Sequence, residues 1–112
     1  MHVKDHLDRP VGELLHSVGP PSRQPLTRVC QALTLAGEAE NTDAGVLLLS
    51  QVAELFGDRT PVDEALASVG VDVATVRKKL RPIEAAWQEL MQAEEIEQLR
   101  SIGPGLHTAA AF

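Results

Sequence analysis

The fold is decided by residues 60–90, which read TPVDEALASVGVDVATVRKKLRPIEAAWQEL. In the second half of this stretch, apolar residues recur every three or four positions, as one face of an α-helix requires. They are Val73, Val76, Leu80, Ile83, Trp87 and Leu90. The phase of this stripe survives Pro82, although a proline removes a backbone donor and crowds the preceding turn. We therefore expect one long helix over 73–101, kinked at Pro82.

A short capped helix is expected just before the long one. Thr60 is suited to the N-cap and Pro61 to the first helical position, while Asp63 completes a variant of the capping box. Gly70 ends this helix, and Asp72 is placed to cap the long one. The stretch thus predicts a helix, a tight break and a second helix.

Two further helices are expected upstream. The first begins near Pro25 and carries a stripe through Cys30 to Ala36; the second begins at Thr42 or Asp43 and ends before Gly57. Because the second is apolar on nearly all sides at its start, we expect it to be the central buried helix. The predicted core residues are Leu47, Leu48, Val52, Leu66, Val69, Val76 and Leu80.

The rest of the chain is expected to flank this unit. Residues 1–25 read as an N-terminal arm with a short helix near 10–18 and a proline-rich linker, and residues 102–112 as a flexible tail. The predicted fold is therefore all-α: a small bundle of about five helices, centred on 26–101, with a long kinked C-terminal helix.

Composition narrows the function classes. The 112 residues are 44% hydrophobic with a net charge of −6, as in ordinary soluble domains. We expect a cytoplasmic protein, because no apolar run approaches the ~18 residues of a membrane span, the N-terminus lacks the apolar segment of a signal peptide, and one cysteine cannot form an internal disulfide. The single cysteine, Cys30, lies on an apolar stripe and is expected to be inert packing. His2 and His6 are four apart but lack a third ligand, so we expect no metal and no cofactor.

Residues 65–80, ALASVGVDVATVRKKL, resemble the ending LxxLGVDxxxLRxxL of a repeat in the N-terminal substrate-docking domain of Clp-type AAA+ unfoldases. Thr42 and Asp43, followed by the apolar run 46–49, resemble the Leu-rich helix of the same repeat. The resemblance covers about 26–81. It departs from the family at Ala44 and Gly45, where the family has a histidine, and in showing one repeat instead of two.

This resemblance implies a non-enzymatic protein-binding module that acts as an adaptor, a decoy or a regulator of a Clp unfoldase. No set of residues has the pairing and spacing that catalysis needs, so we do not expect an enzyme. The candidate partner-binding residues are Arg77, Lys78, Lys79, Arg81, Trp87 and Met91.

Two alternatives stay open. Residues 62–80 also read as a helix-turn-helix, with the basic residues of 77–81 near the end of its second helix, which would make the protein a DNA-binding transcriptional regulator. Nucleic acid is the less favoured partner, because DNA readers usually lie earlier in that helix and five glutamates follow on it. The other alternative is an accessory helical subunit of a larger assembly.

The long stripe also predicts self-association. It extends past Trp87 to Leu90, further than three short helices can cover, and large exposed apolar patches are uncommon on monomers. We therefore expect a homodimer with Trp87 near the interface. The competing arrangement is an N-terminal helix, around Val11 to Val18, that folds back over the stripe.

Overall fold

The computed structural model describes the backbone of residues 5–16 and 20–111, and the side chains of 5–16 and 23–97. A single 3₁₀ turn is followed by five α-helices, and the described ranges contain no β-strand, so the all-α prediction is confirmed. The elements are the 3₁₀ turn His6–Asp8, α1 (Val11–Leu15), α2 (Pro20–Leu35), α3 (Thr42–Phe56), α4 (Val62–Ser68) and α5 (Val73–Ala111).

Helix α2, not α3, is the centre of the bundle. It packs against α1, α3, α5 and the 3₁₀ turn, and its residues Val29, Cys30 and Leu33 are fully buried. The prediction for α3 is wrong, because α3 lies on the outside of α2 and buries only one face. Leu47, predicted to be in the core, is 64% exposed.

Gly45 explains how closely α3 approaches α2. A β-carbon built on Gly45 would lie 3.0 Å from the Cβ of Cys30, which is tighter than ordinary packing contacts. The small residue therefore lets the two helix backbones meet.

The N-terminal segment is part of the core. Leu7, Val11 and Leu14 are fully buried against the rest of the bundle, which differs from the predicted arm. The predicted linker also differs, since α2 already begins at Pro20. A helix tolerates Pro20 and Pro21 in its first turn because the amide groups there have no partner within the helix, whereas Pro25 lies inside α2 and not at its start.

The start of α4 is fixed by backbone pairing with the N-terminal segment. The Val62 amide donates to the carbonyl of Arg9, and the Val11 amide donates to the carbonyl of Thr60, each at 2.9 Å. The predicted N-cap role of Thr60 is wrong, because its hydroxyl instead donates to the Phe56 carbonyl at the end of α3. The carbonyl of Arg9 therefore accepts the hydrogen bond that the side chain of an N-cap residue would otherwise have accepted.

The end of α4 accounts for another misplaced core residue. Val69, predicted to be buried, follows the last helical turn and is exposed, while Val71 beyond the turn packs into the core. Gly70 stands between them with a φ of 88°, a left-handed conformation that favours glycine. The other predicted core residues of this region, Leu66 and Val76, are fully buried as expected.

Helix α5 runs without interruption through Pro82, which confirms the prediction of one helix, while the kink expected at Pro82 stays a prediction. The helix continues to Ala111, beyond the expected end at 101. Asp72 precedes it and accepts a hydrogen bond from the Thr75 hydroxyl, which agrees with the predicted cap. Hydrogen bonds from the Thr75 side chain and from the backbone lower the pKa of Asp72. These hydrogen bonds stabilise the first turn of α5.

Candidate protein-binding groove

An open groove lies between α2, the α2–α3 loop and α5. Its volume is about 610 Å³. It is lined by Gln31, Thr34, Leu35, Glu40, Asn41, Thr42, Ile83, Ala86, Trp87 and Leu90. The α5 wall of the groove is thus apolar, the α2 wall places Leu35 beside two polar side chains, and the loop forms a polar rim.

Local sequence sets the shape of the loop rim. Gly37, with a φ of 83°, turns the chain away from the end of α2. Asn41 then caps α3, and its side-chain oxygen accepts a hydrogen bond from the Ala44 amide at 2.9 Å. These two turns hold the loop beside α5 and leave a gap that no side chain of the described chain fills.

The apolar walls of the groove are substantially exposed. Leu35 on α2 is 60% exposed and Leu90 on α5 is 51% exposed, while Ile83 and Trp87 are half-buried between them. Exposed leucines beside a half-buried tryptophan are typical of protein-binding surfaces, where aromatic residues anchor the partner.

Trp87 is held in place by Arg28 of α2. The guanidinium carbon of Arg28 lies 5.3 Å from the centre of the indole ring, within the range of a cation–π interaction. The Arg28 Nη1 atom also lies 3.1 Å from the Nε2 atom of His6. One arginine therefore connects the groove tryptophan to the 3₁₀ turn.

His6 and Glu84 complete a buried polar cluster behind Trp87. The His6 Nε2 atom lies 3.3 Å from a carboxylate oxygen of Glu84, and His6 itself is buried. Burial, with the charges of Arg28 and Arg9, lowers the pKa of His6, and burial raises the pKa of Glu84. Burial also lowers the pKa of Arg28. The cluster fixes the orientation of Arg28 and, through it, of the indole ring.

Arg77, a predicted partner-binding residue, is occupied within the chain. Its guanidinium pairs with Asp5, with Asp8 at 3.2 Å and with Asp63 at 2.6 Å. Although partial burial opposes it, the hydrogen bond and charge of Asp8 and the charges of Asp5 and Asp63 raise the pKa of Arg77. This side chain ties α5 to the 3₁₀ turn and to α4.

The remaining predicted basic residues are exposed but do not share one face. Successive residues of a helix point about 100° apart, so Lys78 and Arg81 lie about 60° apart on one side of α5, while Lys79 points away from both. Arg81 lines a small polar pocket with Asp5, whereas Lys79 stands one turn before the groove residue Ile83. Of the predicted basic patch, only Lys78 and Arg81 therefore share an exposed side of the helix.

Trp87 and Met91 are the predicted residues that the structure does bring together. Both line a second pocket on the other flank of Trp87, and the Met91 sulfur lies 3.8 Å from the side-chain nitrogen of Gln24. Leu35 of α2 was not predicted as a binding residue. The signal that could have identified it is that it is apolar yet lies off the buried stripe of its helix. The loop residues of the rim left no such signal.

Cys30 has an environment that disfavours reactivity. The side chain is fully buried, and burial together with the charge of Asp43 raises the pKa of its thiol to about 12. A thiolate is the reactive form, so this environment keeps the thiol protonated. Among the described residues, no group of three metal-ligating side chains is present. His2 and the side chain of His107 lie outside the described residues.

Within the described ranges, no helix combines the length and apolar character needed to cross a membrane. No protein-family model, no curated protein and no solved structure matches this chain.

Proposed function

We propose that this chain is a non-enzymatic protein-binding module whose docking surface is the groove between α2 and α5. The observation that carries the proposal is the presence of Leu35, Trp87 and Leu90 on the walls of one open groove. Burial of apolar surface provides the driving force for association, and the polar loop rim provides orientation.

The groove is suited to an amphipathic helix of a partner. Its two long walls are helices, and helix-in-groove recognition uses apolar anchors at helical spacing on the inserted segment. The half-buried indole of Trp87 is held by Arg28, so little side-chain entropy is lost when a partner packs against it.

The resemblance of residues 26–81 to the Clp N-terminal repeat supports a partner of the AAA+ unfoldase class. On this proposal the chain is a free docking unit that acts as an adaptor, a decoy or a regulator of such an unfoldase in the cytoplasm. The alternative DNA-binding role has weaker support, because Arg77 is paired with three carboxylates and Lys79 points away from Lys78 and Arg81.

Co-elution with a purified Clp-type unfoldase ring of the host cell tests this function. Wild-type protein should elute with the ring on size-exclusion chromatography, and Leu90→Glu should abolish co-elution by placing a charge in the groove. Leu47→Glu is the matched control, since Leu47 is an exposed leucine of α3 outside the groove lining. Failure of the wild type to co-elute, or equal behaviour of both variants, would contradict the proposal.

A further inference from the structure

Helix α5 carries a second periodic row on the side that faces the groove. Its members are spaced four, three, four, three and four residues apart, which is the heptad spacing of helices that pack side by side. They are Lys79, Ile83, Ala86, Leu90, Ala93 and Glu97. Three of them line the groove, which places the whole row along that side of the helix.

This row has no partner within the described part of the chain. Ile83 is half-buried and the other five side chains are exposed. Neither Lys79 nor Glu97 takes part in an ion pair with a described residue. An apolar centre with a charge at each end, neither of them in an ion pair with a described residue, is therefore available for docking.

The residues of the row are arranged symmetrically about its midpoint, so that the row is complementary to the same row of a second copy packed antiparallel. Around position 88, Ala86 stands opposite Leu90, Ile83 opposite Ala93, and Lys79 opposite Glu97. Each large apolar residue thus meets an alanine, and each lysine meets a glutamate. A twofold axis generates every one of these pairs twice.

We propose that the groove is occupied by α5 of a second copy of this chain, packed antiparallel along this row. The inference rests on the proposed protein-binding function of the groove and names the partner that fills it. The charge pattern selects the direction, because a parallel copy would place lysine against lysine and glutamate against glutamate.

The dimensions of the row indicate a reversible dimer. From 79 to 97 the row is about 27 Å long at 1.5 Å per residue, and only Ile83 and Leu90 are large apolar residues. An interface formed along such a short row is weaker than the interface of an obligate dimer. The dimer therefore protects the groove in the resting protein and can be displaced by another helix.

Sedimentation equilibrium of charge variants tests the pairing. Wild-type protein at tens of micromolar should have twice the 12.1 kDa mass of one chain. Lys79→Glu and Glu97→Lys should each weaken association at least about tenfold, since each variant turns two attractions into two repulsions. The double variant should restore the wild-type affinity, because the exchanged charges again oppose each other.

Lys78→Glu is the matched control, because it makes the same change of charge at a residue that points about 100° away from the row. It should retain the dimer. A monomeric wild type, a double variant that stays monomeric, or equal weakening by Lys78→Glu would overturn the inference. A monomeric wild type that still co-elutes with the unfoldase ring would leave the proposed function standing. A dimer that never binds the ring would support this inference and contradict the proposed unfoldase partner.

Discussion

The two halves of α5 carry the same apolar stripe but have different surroundings. In the first half, Val76 and Leu80 are buried under α2 and α4, and Arg77 is tied to three carboxylates. In the second half, Leu90 and Met91 continue the stripe but are exposed. Helical periodicity therefore identifies an apolar face, whereas the neighbouring elements decide whether that face lies in the core or at an interface.

The largest predicted effect separates these halves directly. Leu80 is 3% exposed, so Leu80→Ala should lower the free energy of unfolding by about 2–5 kcal/mol through a lost core contact and a cavity. Leu90→Ala should cost less than about 1 kcal/mol in protein diluted below the dimer range. Urea unfolding of both variants measures this, and equal losses would show that the two halves are equally buried.

The ion cluster of the first half should give the next largest effect. Arg77→Ala leaves Asp5, Asp8 and Asp63 facing one another without a cation, which should destabilise the fold by about 1–2 kcal/mol. Arg81→Ala is the control, since that side chain is exposed and makes no ion pair with a described residue. A neutral result for Arg77→Ala in chemical unfolding would mean that the cluster does not anchor α5.

The polar cluster at the junction of the halves should add a pH dependence. The pKa of His6 in the folded protein lies below its ordinary value of 6.5, so the unfolded chain binds the proton more readily. Stability from His6 is therefore complete above pH 6.5 and falls as the pH drops below it. Burial is the main cause of the lowered pKa of His6; Arg28 and Arg9 lower it further and Asp5 opposes them. Burial raises the pKa of Glu84, so its contribution to stability changes with pH in the opposite direction, at lower pH.

Thermal unfolding between pH 7 and pH 5.5 checks this prediction. His6→Gln should flatten the decline of the melting temperature relative to the wild type. Lys78→Gln, at an exposed residue of α5 outside this cluster, should leave the decline unchanged. If both variants follow the wild-type curve, burial of His6 does not control the pH response.

The smallest predicted effect is on the strength of dimerisation and comes from a residue at the edge of the proposed α5 interface. In the antiparallel register, Glu89 lies close to the twofold axis and near its own symmetry mate. Glu89→Gln removes this repulsion and should strengthen dimerisation about twofold, measured by sedimentation equilibrium in low salt. Weakened association would place the axis elsewhere along α5.

The sequence predicted the helices well because their signals are local. The stripe over 73–90, the cap at Asp72 and the turn at Gly70 depend only on neighbouring residues, and the structure has each of them. The centre of the bundle was misassigned because the apolar start of α3 resembles a buried helix when its neighbours are unknown. The role of α2 depends on contacts across the whole chain.

The candidate site was only partly predictable for the same reason. Trp87 and Met91 could be found from the stripe of α5. Leu35 and the loop rim come from an element some 50 residues away in the sequence, and their proximity follows from the packing of α2 on α5. The pairing of Arg77 with Asp5 and Asp63 was likewise invisible, because it requires the N-terminal segment to lie beside α4.

Amide hydrogen exchange along α5, measured at protein concentrations below and above the dimer range, tests the central claim most directly. We expect exchange over 83–97 to slow as concentration rises, while exchange over 73–80 stays slow and constant. The exposed face of α3 around Leu47 should not change. Concentration-independent exchange over 83–97, or protection that appears on α3 instead, would contradict the claim that the uncovered half of α5 is the interface.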